Sequence, residues 1–175
     1  MKKFKKTEFI INGALIAAAY AGLTYLCNIF GISYGPIQLR LSEVLTILPV
    51  FTPAAIPGLT VGCFLANIGS FNAADMIFGT MATFIAAVLT YYMKDIKVKN
   101  VPVLSLISPV IINALIIGLE IAVFFLPEGS GMWGIILSSI QIGISEFIVC
   151  FVFGIPFYFV VKKYRIFEIK HKPKR

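Results

Sequence analysis

The chain has 175 residues, of which 59% are hydrophobic and 13% are charged, and its formal net charge is +7. Soluble domains are about half apolar and a quarter charged, so this composition is typical of a membrane protein. Because a membrane-spanning helix takes about 20 residues, six spans with short loops would fill the chain and leave no room for a soluble catalytic domain. The apolar runs are long and lack strand-like alternation, which predicts helices rather than a barrel.

The first apolar run, Phe9–Phe30, follows a cluster of lysines at the N-terminus. This arrangement is similar to a signal peptide, but the run is longer than the roughly 7–15 residues of a signal-peptide core, so we expect a retained first helix. Ala14 and Ala18 are four residues apart on this run, as are Ala17 and Ala21. Such pairs of small residues let another helix approach closely. That helix can belong to this protein, which is the commoner case, or to another subunit.

The stretch Leu41–Ile68 is too long for one comfortable span and short for two. Pro49, Pro53 and Pro57 recur in its middle, where each interrupts helix hydrogen bonding. We predict two short, proline-broken helices here. A pair of segments that enters the membrane and returns on the same side would preserve the same sidedness and stays open.

Three further apolar runs complete the predicted architecture, a single transmembrane domain over residues 1–175. Its six helices are predicted at about 9–30, 41–52, 54–68, 73–93, 101–126 and 132–161. With six spans, both termini and the loop at 94–99 share one side, and that side holds every Lys and Arg except Arg40. Basic loops face the cytoplasm, so both termini are predicted to be cytoplasmic. Five spans would put the loop lysines outside, which disfavours that count.

Ionisable and amide side chains within the predicted helices mark a candidate binding site, because such groups are costly in a membrane. They are Arg40, Glu43, Asn67, Asp75, Asn113, Glu120 and Glu146. In the predicted topology they concentrate in the outer half of the bundle, whereas the inner halves of helices 4 and 6 are almost entirely apolar. A water-filled channel would need polar residues along its whole length. The pattern therefore favours a binding site that opens to the outside and is closed below.

Structural roles compete with binding for several of these residues. Arg40 and Glu43 are three residues apart and can pair with each other, and Asp75 can stabilise a helix N-terminus. The two asparagines can hydrogen-bond between helices. Glu120 and Glu146 have no such explanation, and we expect at least one of them to act in binding. Four acids against one base favour a cationic or donor-rich ligand.

Several motifs resemble those of the QueT family, the substrate-binding S-components of energy-coupling factor (ECF) transporters for queuosine precursors. The motifs are Leu39-Arg40-Leu41-Ser42-Glu43, Thr52–Leu59, Gly62-Cys63, Ala66-Asn67 and Asp75 with Phe78-Gly79, and Glu146 is a further match. The similarity extends over nearly the whole chain and is densest in Leu39–Gly79. As a set, these motifs are fairly specific.

This resemblance implies an all-α bundle of six transmembrane helices of the ECF S-component type in the plasma membrane. It implies capture of a 7-deazaguanine, such as preQ1 or queuine, from outside the cell. The implied partners are a transmembrane coupling subunit and two cytoplasmic ATPases. ATP would be used by these partners, so we expect no enzymatic activity, cofactor or metal in this chain. S-components commonly dock through small residues of helix 1, which Ala14, Ala18 and Ala21 can supply.

The chemistry of the candidate residues is compatible with preQ1. A carboxylate can accept two parallel hydrogen bonds from the guanine edge, a second can pair with the protonated aminomethyl arm, and the asparagines can serve the remaining groups. The predicted carboxylates are Glu43, Glu120 and Glu146, without assigned roles. Tyr34 and Phe71 are candidates for stacking or interfacial contacts, and Trp133 is the better candidate for an interfacial anchor.

Three other functions stay open. An S-component for another vitamin-like cationic or donor-rich molecule would show the same polar pattern. An intramembrane enzyme would need a nucleophile constellation, but the chain has no Gly-rich phosphate loop and its single histidine, His171, lies in the basic tail. A stand-alone carrier usually contains an internal repeat, and none is visible in the sequence.

Overall fold

The computed structural model describes residues 6–31, 33, 39–70, 72–127 and 131–167. Within these ranges the secondary structure is helical, apart from an isolated bridge between Val98 and Val101. Helix 1 is Lys6–Ile29, helix 2 is Leu41–Val50, helix 3 is Ala55–Ile68, helix 4 is Asp75–Tyr92, helix 5 is Val103–Phe124 and helix 6 is Gly131–Tyr164. The prediction of an all-helical protein is confirmed.

Helices 1, 4, 5 and 6 are long and apolar enough to cross a membrane, whereas helices 2 and 3 are shorter. Helix 2 is a 3₁₀ helix of 10 residues and helix 3 is an α-helix of 14 residues, so each is about 20 Å long. The hydrocarbon core of a bilayer is about 30 Å thick. The described residues thus contain four candidate spans and two short apolar helices, and the count of six spans stays a prediction.

The break between helices 2 and 3 lies among the prolines that predicted it. Pro49 is inside helix 2, and the amide of Thr52 still donates to the carbonyl of Leu48 at 3.1 Å. Pro53 has no amide N–H with which to extend this hydrogen bonding, and helix 3 begins at Ala55. Helix 2 therefore ends at Val50, slightly earlier than the sequence predicts.

Helix 2 lies at the centre of the bundle and contacts each of the other five helices. Seven of its residues are buried, and Glu43 is one of them. Arg40 directly precedes this helix and is buried as well. The central position of helix 2 brings these two charged side chains within reach of polar groups on the surrounding helices.

Helices 4 and 6 each contain a π-helical segment, Asp75–Gly79 and Ile148–Phe153. Such wide turns are rare and occur frequently at functional sites. The first segment begins at a predicted binding residue, and the second begins two residues after Glu146. Both irregularities therefore lie beside the candidate site.

Helix 3 packs closely against helix 1 through two glycines. A Cβ atom at Gly62 would lie 2.8 Å from the carbonyl oxygen of Ala17, and a Cβ atom at Gly58 would lie 2.7 Å from the carbonyl oxygen of Gly13. Both distances are too short for a methyl group, so this approach of the two helices requires glycine in helix 3. Ala17 is thus used for packing within this protein.

Another face of helix 1 leaves Ala14 and Ala18 exposed and Ala21 partly buried. Ala14 borders a groove of about 280 Å³ between helices 1 and 3, whose other lining residues are Phe9, Ile10, Gly13, Ala17, Pro57, Gly58 and Val61. The small residues of helix 1 therefore serve more than one surface. Docking of another subunit through Ala14, Ala18 and Ala21 stays a prediction.

Candidate functional site

A small cavity lies at the junction of helices 2, 4, 5 and 6. Its lining residues are Arg40, Glu43, Gly79, Thr83, Asn113, Ile117, Ile142 and Glu146. Four of the seven predicted binding residues are among them. The other three, Asn67, Asp75 and Glu120, are buried but are not part of this lining.

Glu43 enters the cavity wall from helix 2 and is 3% exposed. The hydroxyl of Tyr20, in helix 1, donates to Oε1 of Glu43. Among the described residues, Oε2 of Glu43 has no hydrogen-bond donor. A buried carboxylate oxygen without a donor is unfavourable. Donation by a ligand to this oxygen would remove that penalty.

Glu146 reaches the cavity from helix 6 and is bound to Asn113 of helix 5. Nδ2 of Asn113 donates to Oε1 of Glu146 at 2.9 Å, and the thiol of Cys150 lies 3.8 Å from Oε2. Glu146 and Glu43 are close enough to interact electrostatically. Asn113 thus joins two helices, as one of the structural alternatives predicts, while it also lines the cavity.

Arg40 supplies the positive charge of the cavity wall. Its Nη1 donates to Oδ1 of Asn67 at 3.0 Å, and its Nε donates to the carbonyl of Ser33 at 2.8 Å. The guanidinium also interacts electrostatically with Glu43 and Asp75. Asn67 contacts Arg40 but is absent from the lining, so it adjoins the cavity wall without being part of it.

Asp75 and Glu120 form a second acidic pair, outside the cavity lining. They are 6% and 2% exposed, and their carboxyl groups lie within interaction range of each other and of Arg40. Neither carboxyl oxygen of Glu120 has a hydrogen-bond donor among the described residues. The predicted acids therefore divide into two that line the cavity and two that lie outside its lining but interact with its arginine.

The cavity has a volume of about 10 Å³, which is room for roughly one water molecule. Sites for small molecules usually measure roughly 300–1,000 Å³. A ligand as large as a purine can therefore enter only when part of the wall moves. In the connection between helices 1 and 2, positions 32 and 34–38 lie outside the described residues.

Five members of the site are not among the binding residues predicted from the sequence: Tyr20, Gly79, Thr83, Ile117 and Ile142. The available signal for Tyr20 is a pair of hydroxyls one turn apart on an apolar helix, since Thr24 also points inward and donates to Ser42 at 2.7 Å. Gly79 contributes space rather than a polar group, so no search for polar residues would find it.

The predicted aromatic contacts are only partly described. Tyr34, Phe71 and the tail histidine, His171, lie outside the described residues. Trp133 is 80% exposed and does not line the cavity. Its position is consistent with an interfacial anchor and not with stacking on a ligand in this cavity.

Comparison with known proteins identifies relatives of the chain. The sequence model of the QueT transporter family matches residues 10–163. The queuosine precursor transporter QueT of Lactococcus lactis subsp. cremoris (strain MG1363) is 41% identical over 85 residues, which are 49% of this chain and 50% of that protein. The chain thus spans about half the length of the curated relative it matches. No solved structure matches the chain.

The family match covers all six helices in whole or in large part and includes every residue of the cavity lining. Together with the long apolar helices, it indicates a multi-pass membrane protein. The resemblance found in the sequence motifs is confirmed. The chain belongs to the QueT transporter family.

Proposed function

We propose that the protein is the substrate-binding S-component of an ECF-type importer and captures a queuosine precursor from outside the cell. The cargo would be a 7-deazaguanine such as preQ1 or queuine. Family membership and the name of the Lactococcus relative support this class of cargo. The observation that carries the proposal is a buried cavity lined by Glu43, Glu146 and Arg40.

The chemistry of this lining suits preQ1. Its guanine edge carries adjacent N–H donors, and its aminomethyl arm is protonated. Glu43 offers a carboxylate oxygen that has no donor among the described residues, and Glu146 offers a second carboxylate held in place by Asn113. Hydrogen bonds from N–H groups to a carboxylate are charge-assisted and strong. An anionic cargo would instead be repelled by the two acids.

In the proposed arrangement, the six helices lie in the plasma membrane with both termini in the cytoplasm, and the cavity is reached from outside. Ala14, Ala18 and Ala21 of helix 1 dock onto a transmembrane coupling subunit, and two cytoplasmic ATPases hydrolyse the ATP. The distribution of Lys and Arg along the chain supports this orientation. The exposure of Ala14 and Ala18 supports docking.

A ligand panel and an uptake assay test the proposal. Purified protein in lipid nanodiscs is titrated with preQ0, preQ1, queuine, riboflavin and thiamine, and we expect a 7-deazaguanine to bind far more tightly than the two vitamins. In vesicles that contain this protein without partners, we expect no accumulation of radiolabelled preQ1. Tight binding of riboflavin or thiamine would contradict the proposed 7-deazaguanine cargo and identify the bound vitamin as the cargo instead. Accumulation of preQ1 without partners or ATP would contradict the S-component role.

A further inference from the structure

The guanidinium of Arg40 is held in a fixed orientation at the cavity wall. Its hydrogen bonds to Asn67 and Ser33 come from different nitrogen atoms, Nη1 and Nε, so both the position and the plane of the group are constrained. The side chain is 9% exposed and lines the cavity. A guanidinium carries donors and no acceptor. Arg40 can therefore recognise an acceptor on a ligand, which the two carboxylates cannot.

Asn67 has its amide orientation set by its surroundings. It is fully buried, and its Nδ2 donates to the backbone carbonyl of Asp75 at 2.8 Å and to the sulfur of Cys63 at 3.4 Å. With the NH₂ group turned toward these acceptors, Oδ1 is directed at Arg40. A flip of the amide would put a donor against the guanidinium and lose these bonds.

Gly79 leaves the space that the Asn67 amide occupies. A Cβ atom at position 79 would lie 2.5 Å from Nδ2 of Asn67, which is far closer than two such atoms can approach. An alanine here would therefore displace the amide that holds Arg40. Because the atom displaced belongs to a side chain and not to the backbone, the helix itself can form with alanine.

We infer that Asn67 and Gly79 are positioning residues that aim Arg40 at the carbonyl acceptor of the ligand. This inference rests on the proposed function and extends it, because it assigns the 6-oxo group of a 7-deazaguanine to Arg40 and leaves the N–H donors to Glu43 and Glu146. The cavity would then recognise both a hydrogen-bond acceptor and the neighbouring N–H donors of the same ligand. A role of Arg40 in charge balance alone would require no such fixed orientation.

The test compares preQ1 with its 6-thioxo analogue, which keeps the N1–H and 2-amino donors but has a weaker sulfur acceptor. Calorimetry on the whole chain in nanodiscs gives both affinities for the wild type, Gly79→Ala, Asn67→Ala and the double variant. We expect the wild type to prefer preQ1 by about tenfold or more, and each single variant to lose most of that preference. The double variant should be no worse than Asn67→Ala, because the amide that the added methyl group would displace is then gone.

Gly22→Ala is the matched control, since a Cβ atom at Gly22 would contact nothing within 4 Å; it should leave both affinities unchanged. A wild type that binds both ligands equally would overturn the inference. So would variants that weaken both ligands by the same factor, or losses that add in the double variant. In each of these cases binding of preQ1 itself would leave the proposed function standing. If the wild type does not bind preQ1, both the proposed function and this inference are contradicted.

Discussion

At the scale of single residues, each charged side chain of the cavity is held by a polar partner from another part of the chain. Tyr20 donates to Glu43, Asn67 accepts from Arg40, and Asn113 donates to Glu146. In a membrane interior, a buried charge without partners is strongly unfavourable. These partners therefore stabilise the charged groups and also orient them toward the cavity.

Tyr20→Phe tests whether this orientation matters for binding. The substitution removes the hydroxyl that donates to Glu43 and leaves the ring in the core. A hydrogen bond to a charged group contributes about 1.5–3 kcal/mol to stability, and this bond is already made in the unliganded protein. We therefore expect a lower thermal midpoint and, because Glu43 is no longer held in place, a loss of preQ1 affinity of up to about tenfold. Calorimetric titration measures the affinity, and thermal unfolding of the unliganded protein shows whether the fold persists.

Tyr25→Phe is the control for this substitution. Tyr25 also lies in helix 1, and its hydroxyl donates to the carbonyl of Leu65 at 2.7 Å, but it is exposed and away from the cavity lining. Its loss should leave the affinity for preQ1 unchanged. If Tyr20→Phe binds preQ1 as the wild type does, Tyr20 does not orient Glu43 for binding.

The sequence identifies the costly polar residues but not their pairing. The rule that membrane charges are functional selects Glu43 and Glu146 correctly as cavity residues, yet it selects Glu120 by the same criterion, and Glu120 lies outside the lining. Pairing depends on distances between helices. A one-dimensional pattern carries no such distances, so the sequence does not predict that Asn67 bonds to Arg40.

At the scale of helices, small residues decide how closely the elements approach. Gly62→Ala would put a methyl group 2.8 Å from both the carbonyl oxygen of Ala17 and the Cβ atom of Tyr20. Alanine is otherwise favoured over glycine in a helix by roughly 0.5–1 kcal/mol, but overpacking costs about 1–3 kcal/mol. We expect a net loss of stability, measured as a lower thermal midpoint in detergent.

Gly22→Ala gives the opposite expectation on the partner helix. Its Cβ atom would have open space, so helix propensity alone should act, and the thermal midpoint should stay equal or rise slightly. A midpoint for Gly62→Ala as high as that of Gly22→Ala would show that helices 1 and 3 can separate at little cost. The close packing described for them would then be unnecessary for stability.

Helix positions follow from apolar run length, but helix type does not. The long spans can be predicted from the sequence because a run of about 20 consecutive apolar residues is typical of a membrane-spanning helix. Proline spacing also predicts a break here, although helix 2 ends at Val50, two residues before its predicted end. The 3₁₀ geometry of helix 2 and the π-helical segments Asp75–Gly79 and Ile148–Phe153 have no such signal. Helix type also depends on contacts between helices, which a pattern along one chain does not record.

At the scale of the whole molecule, the proposed binding cavity and the proposed docking surface are separate. The cavity lies among helices 2, 4, 5 and 6, whereas Ala14 and Ala18 are exposed on helix 1. Ala14→Leu and Ala18→Leu should therefore leave preQ1 affinity unchanged but prevent close approach of another helix. We expect weaker assembly with the coupling subunit in co-purification, and slower ATP-dependent uptake.

Ala19→Leu is the matched control for docking, because Ala19 is also exposed but lies on a neighbouring face of helix 1. It should assemble and transport as the wild type does. If Ala14→Leu and Ala18→Leu also assemble normally, the docking surface lies elsewhere on the molecule.

The most direct test of the binding cavity is a calorimetric titration of preQ1 into the wild type, Glu43→Gln, Glu146→Gln and Glu120→Gln. Glu43 and Glu146 line the cavity, whereas Glu120 is buried and is not part of its lining. We predict that Glu43→Gln and Glu146→Gln each lose about tenfold or more in affinity, and that Glu120→Gln loses clearly less. Wild-type affinity in both Glu43→Gln and Glu146→Gln would contradict the assignment of this cavity as the substrate site.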